Sequence, residues 1–136
     1  MDSNTDTDCQ HRGCETNLIT LANTGVADAA GNAGSGTTDS NNYAIDTARP
    51  TAGIVVADSA LTIGETSLVT ITFSEAVTGF SNADLTVANG TLSLVSTSNG
   101  GVTWTATLTP AVGIQTLNNI IVLNNTGYTD LVGNTG

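Results

Sequence analysis

The residues of this 136-residue chain that could do chemistry are mostly carboxylates. There are twelve Asp and Glu against two Arg and no Lys, for a formal net charge of −10. Carboxylate oxygens, supplemented by amide and backbone carbonyls, are the ligands that Ca²⁺ takes in roughly six- to eight-fold coordination. The same balance excludes nucleic acid, since no basic surface exists to neutralise phosphates, and it disfavours an anionic membrane. An acidic surface rich in Thr and Asn also simply keeps an extracellular protein soluble, so any single carboxylate carries both readings. The remaining reactive groups, Cys9, His11 and Cys14, lie together in the polar leader MDSNTDTDCQHRGCETN. Two Cys and one His fall short of a zinc set, which leaves a small loop disulfide or a weak metal site open there. Nucleophilic catalysis would have to draw on that lone histidine, and no enzyme is expected.

Among the carboxylates, Glu75 stands out by position. It follows LVTITFS, in which Val69, Ile71 and Phe73 alternate with Thr70, Thr72 and Ser74. That two-residue period is how a half-buried β-strand reads, so Glu75 leaves the core at a strand end. Asp130 and Asn134 sit in the loop DLVGN, Asp84 precedes the apolar run LTV, and Asp46 lies in the linker DTARP. Asp-x-x-Gly-Asn is also an ordinary turn sequence, with Asp bonding its own backbone and Gly or Asn adopting a left-handed conformation.

The elements that must position these groups follow from an internal repeat. LITLANTGVADAAGNAG, residues 18–34, recurs without gaps as IIVLNNTGYTDLVGNTG, residues 120–136, with nine of seventeen positions identical and Leu18 standing where Ile120 stands, an offset of 102 residues. A period of that length is a domain rather than a solenoid unit, so the chain reads as a window cut from a tandem array. Residues 1–17 read as a disordered leader. Residues 18–50 read as the tail of a preceding repeat: a strand end, a loop VADAAGNAG, a Gly/Ser/Thr/Asn stretch at 35–42, a strand within 41–46 at Tyr43–Ile45, and a linker ending at Pro50, which cannot donate to a ladder. Residues 51–136 carry strands at 52–57, 66–74, 84–88, 91–96, 102–109 and 118–123, with Asn89-Gly90 predicted as a hairpin turn. Little in this window is apolar enough to span a bilayer, so no membrane insertion is expected. A glycosidase would need two carboxylates across a cleft, which a small six-stranded sandwich does not offer.

TITFSEAVTGF, ADLTVANGT, GGVTWTATLTP, YTDLVGN and YAIDTARP together resemble the bacterial immunoglobulin-like tandem repeats of large secreted adhesins, the type I-secreted, RTX-associated surface proteins. The resemblance covers residues 18–136. It implies an all-β immunoglobulin-like sandwich of Greek-key topology, with the last strand of the 51–136 domain absent from its C-terminus, and it implies Ca²⁺ as a structural ion. In such a sandwich strand A begins at one pole and the BC, DE and FG loops return to it. Glu75, Asp84, Asp130, Asn134 and the linker carboxylate Asp46 are therefore expected to converge there as metal ligands. Asp28 and Asn32 would be the equivalent ligands of the preceding domain, while Asp58 and Glu65 map to the opposite pole. The expected function is that of an extracellular, cell-surface spacer whose partners are adjacent repeats. The alternatives are a module that binds a carbohydrate or protein receptor, with Tyr128 the sole aromatic for stacking on a sugar, and a fibre subunit that donates residues 41–46 as a strand to a neighbour.

Overall fold

A computed structural model describes residues 17–136; the expectations for Cys9, His11, Cys14 and nearly all of the polar leader lie outside the described residues. The chain divides into two compact units, Met1–Asp46 and Thr47–Gly136.

In the first unit β1 (Thr20–Ala22) pairs antiparallel with β2 (Thr37–Asp39), Leu21 opposite Thr38. Ser40 N donates to Ile19 O at 2.9 Å and Asn23 N to Gly36 O at 3.0 Å, which extends the ladder by one bond at each end. All six strand residues are exposed. The position of β2 corrects the sequence reading, which made 35–42 a loop and 41–46 the strand. Gly36, at φ +69, turns the chain so that β-branched Thr37 and Thr38 meet β1 first. Beyond them Tyr43 N donates to Asn17 O (3.4 Å), and two bonds involving side chains, Asn17 N to Asn42 Oδ1 (2.9 Å) and Asn17 Nδ2 to Tyr43 O (3.0 Å), hold the chain without a further strand.

The second unit contains β3 (Ala52–Val56), β4 (Ser67–Phe73), β5 (Val77–Thr78), a 3₁₀ turn at Asn82–Asp84, β6 (Leu85–Val87), β7 (Gly90–Leu92), β8 (Ser96–Thr97), β9 (Thr103–Pro110), β10 (Ile121–Leu123) and β11 (Thr129–Asp130). One sheet has the order β3-β4-β9-β7, with β8 also on β9; β6 pairs with β10, and β5 with β11. β3, β4, β9 and β7 stand as strands A, B, E and D of one sheet while β6 and β10 pair as C and F, the division of an immunoglobulin-like sandwich. The fold is all-β and antiparallel, as the strand spacing and the resemblance imply. Asn89-Gly90 departs from expectation. Asn89 does take φ +53, but β6 and β7 do not pair, because β7 joins β9 while β6 joins β10. The turn carries the chain from one sheet to the other instead of closing a hairpin.

The core forms because β4 alternates strictly. Val69, Ile71 and Phe73 are buried on one face, while Leu68 and Thr72 are exposed on the other. Val77, Phe80 and Tyr128 complete the buried cluster, and Trp104, Leu85, Ile121 and Leu123 pack against it from other strands. Phe73 meets Phe80 and Tyr128 edge-on, with ring centroids 5.2 and 4.8 Å apart, and Phe80 meets Trp104 in the same way at 5.2 Å. Offset and edge-on pairs of this kind favour the ring quadrupoles. Gly101, at φ +107, brings its carbonyl to both Val77 N (3.1 Å) and Trp104 Nε1 (3.0 Å). A Cβ at position 101 would stand 2.7 Å from Val77 O, so only glycine fits.

Candidate metal centre

Glu75 is placed by the end of β4. Ser74 N donates to Thr51 O at 2.8 Å and Thr51 N to Ser74 Oγ at 3.0 Å, so the strand is fastened to the linker one residue before the carboxylate. Val77, two residues on, is opposite Asp130 in the β5–β11 pair. This short ladder, which the sequence reading did not anticipate, sets Glu75 and Asp130 side by side.

The loop after β11 holds Asp130 tightly. Its Oδ1 accepts from Val132 N (2.9 Å), Gly133 N (2.7 Å) and Asn134 N (2.8 Å), and its Oδ2 accepts from Asn134 Nδ2 (2.8 Å). Gly133 supports this with φ +101. Asp130 is 2% exposed. Burial pushes its pKa up, but the Asn134 side-chain amide and the three N–H groups outweigh it, and the net effect holds the carboxyl below its ordinary value of 3.8. Asp130 is therefore an anion with Oδ1 saturated and a lone pair left on Oδ2. The equivalent loop of the first unit is built in the same way: Asp28 Oδ1 accepts from Ala30 N and Asn32 N, and Oδ2 from Asn32 Nδ2.

Asp46, half-buried, is where the linker enters. One oxygen each from Asp46, Glu75 and Asp130 lie within 4.8 Å of one another, and they form the metal-capable carboxylate group among the described residues. Two unit charges about 5 Å apart at an effective dielectric near 20 repel by about 3 kcal/mol. A cation reverses that sign. Oxygens bound to one Ca²⁺ at about 2.3–2.6 Å are at most about 5 Å apart, so the observed spacing suits a single shared ion. Asp46 and Glu75 also take part in interactions of their own.

The other two expected ligands are placed differently. Asp84 Oδ2 accepts from Ser81 N at 2.9 Å while Ser81 Oγ accepts from Ala83 N, a reciprocal cap on the 3₁₀ turn. Its carboxylate also lies against Gly127, where a Cβ would collide with it. Asp84 is thus spent on a cap, and Ser81-x-x-Asp84 is the sequence signal for that role. Asn134 donates to Asp130 through both its backbone N–H and its side-chain amide. Tyr128, the candidate for stacking on a sugar, is 2% exposed and donates to Asn125 Oδ1 at 3.0 Å. Its ring belongs to the core. Burial, with a smaller push from the Asp84 charge, raises its phenol pKa.

Residues 7–45 and 46–136 each match the bacterial Ig-like domain. The chain belongs to the bacterial Ig-like domain family. The second match begins at Asp46, which puts all three carboxylates in one copy of the domain, and two successive matches account for the repeat at a 102-residue offset. No curated protein and no solved structure matches the chain. Bacterial Ig-like domains are typical of surface proteins and are usually non-catalytic structural modules. No helix among the described residues is long and apolar enough to cross a membrane.

Proposed function

We propose that this chain is a stretch of an extracellular array in a bacterial surface adhesin, and that its Ig-like domains act as spacers stiffened by Ca²⁺. The observation that carries this reading is the meeting of Asp46, Glu75 and Asp130 within 4.8 Å. Asp46 belongs to the linker, Glu75 to the exit of β4 and Asp130 to the loop after β11. An ion held by all three ties the linker to two separate parts of the sandwich. Backbone carbonyls and water complete its coordination, with Asn134 fixing Asp130 and Asp84 contributing only at a distance through its cap. The partners are the neighbouring repeats, and secretion to the cell surface is the setting in which millimolar Ca²⁺ is present to fill weak sites.

Thermal unfolding with Ca²⁺ against chelator tests the reading. An ion that binds only the folded state at a free concentration 100 times its dissociation constant stabilises by about 2.7 kcal/mol. The midpoint should rise by several degrees in Ca²⁺, and Glu75→Gln or Asp46→Asn should erase the rise. A midpoint unmoved by Ca²⁺ would remove the ion and leave an acidic Ig-like spacer. The receptor-binding alternative loses its aromatic platform with Tyr128 in the core.

A further inference from the structure

The sequence holds two Asn-Gly dipeptides, Asn89-Gly90 and Asn99-Gly100. At such a pair an asparagine can modify itself. With no Cβ on the following residue, that residue's backbone nitrogen can reach the Asn side-chain carbon and close a five-membered ring. Both asparagines are exposed, but the fold treats them differently.

Asn89 joins two strands. It lies between β6 and β7, Gly90 stands opposite Pro110 in the β7–β9 ladder, and Asn89 O accepts from Ala111 N at 2.9 Å. A Cβ at position 90 would stand 2.9 Å from Thr109 O, so Gly90 is pressed against β9. Ring closure requires rotation about the Asn Cα–C bond, and here that rotation would pull β7 off β9. The amide nitrogen that must leave is also held, because Asn89 Nδ2 donates to Asn119 Oδ1 at 2.7 Å.

Asn99 has none of these restraints. Residues 98–102 lie outside any strand, between β8 and β9, and a Cβ added at Gly100 would meet open space. Neither Gly100 N nor Asn99 Nδ2 bonds to another described residue. The side-chain oxygen, by contrast, is occupied. Asn99 Oδ1 accepts from Thr103 N at 2.9 Å and from Thr97 Oγ1 at 3.1 Å, whose hydrogen is shared with Thr103 O at 2.8 Å. Donors on that oxygen draw electron density from Cγ and stabilise the oxyanion that forms when a nucleophile adds to it. The nucleophile and the leaving group are thus free while the oxygen between them is held.

We infer that Asn99 is a site of self-deamidation and that Asn89 is protected from it. Gly100 N loses its proton and bonds to Asn99 Cγ; the Cγ–Nδ2 bond breaks, and ammonia leaves carrying that proton. Water then opens the succinimide at one of its two carbonyls, which gives Asp or isoaspartate at position 99. Each event adds one negative charge to the formal −10. Isoaspartate also lengthens the backbone by one carbon two residues before Gly101, whose carbonyl serves Val77 N and Trp104 Nε1. None of these steps involves the cation.

The test incubates the full chain at mildly alkaline pH, folded in one sample and in concentrated urea in another. Chymotryptic mapping by mass spectrometry separates the two asparagines, since Leu92 and Leu94 lie between them. In urea they should convert at similar rates, because the dipeptide is the same. In the folded chain Asn99 should convert at least about tenfold faster than Asn89, a difference of about 1.4 kcal/mol in barrier. Asn99→Gln, which would need a six-membered ring, should lack the first acidic species seen by isoelectric focusing of the wild type. A folded-state ratio no greater than the ratio in urea, no conversion of Asn99 in the time that urea converts it, or the same first acidic species from Asn99→Gln would overturn the inference.

Discussion

Glycine 101 shows how little freedom the pole of the domain leaves to single residues. Its φ of +107 and the 2.7 Å approach of Val77 O to an added Cβ both oppose a side chain. Gly101→Ala should therefore destabilise the second unit by about 2–4 kcal/mol, a left-handed backbone penalty plus local overpacking, measured as a lower urea midpoint at constant m. Asp28 gives a residue-scale prediction for pH. The Asn32 side-chain amide, followed by the Asn32 N–H, lowers its pKa below 3.8. A carboxyl depressed on folding stabilises fully above its unfolded pKa, and the contribution is lost as pH falls through the folded value. Carboxyl NMR should thus show Asp28 titrating below 3.8, and Asn32→Ala should move it back up. The Asp roles were half legible in the sequence. Asp-x-x-Gly-Asn does form the expected turn at both copies, and the same hydrogen bonds hold Asp130 as an anion where a cation could use it. Asp84 closes the cap that Ser81-x-x-Asp84 signals, a role that its place before a strand does not reveal by itself.

At the level of elements, β4 was the most legible part of the chain. Its alternation places Ile71 and Val69 at 0% exposure. Ile71→Ala should cost about 2–5 kcal/mol through lost transfer free energy and a residual cavity, read from denaturant unfolding; Thr72→Ala on the solvent face should change stability by less than about 0.5 kcal/mol. The two-residue strands β5 and β11 were not legible, because so short a ladder has no periodicity and depends on tertiary contact. That pair nevertheless sets Glu75 beside Asp130. β2 was misassigned for a related reason. Apolar Tyr43 and Ile45 drew the strand forward, whereas Gly36 and two threonines decide where the chain meets β1.

The molecule as a whole is a repeat read across a domain boundary, and the gapless match between residues 18–34 and 120–136 made that legible before any coordinates. What composition could not give was which of twelve carboxylates converge, since that depends on the crossing of β-strands between sheets. If an ion fastens Asp46 to the sandwich, limited proteolysis in the linker between Asp46 and Pro50 should be slow in Ca²⁺ and fast in chelator, while cleavage in the exposed loop at Val112–Leu117 should not respond. Rigidity in such an array is then set by the salt of the medium rather than by the length of the chain.

Gly101 also gives the domain a built-in optical probe. Its carbonyl is shared by the indole of Trp104, the protein's single tryptophan, and by Val77, whose strand partner is Asp130. If a cation binds beside Asp130, the resulting shift is passed through one ladder rung and one shared acceptor to the fluorophore, and the wavelength of tryptophan emission should then follow cation titration without any label.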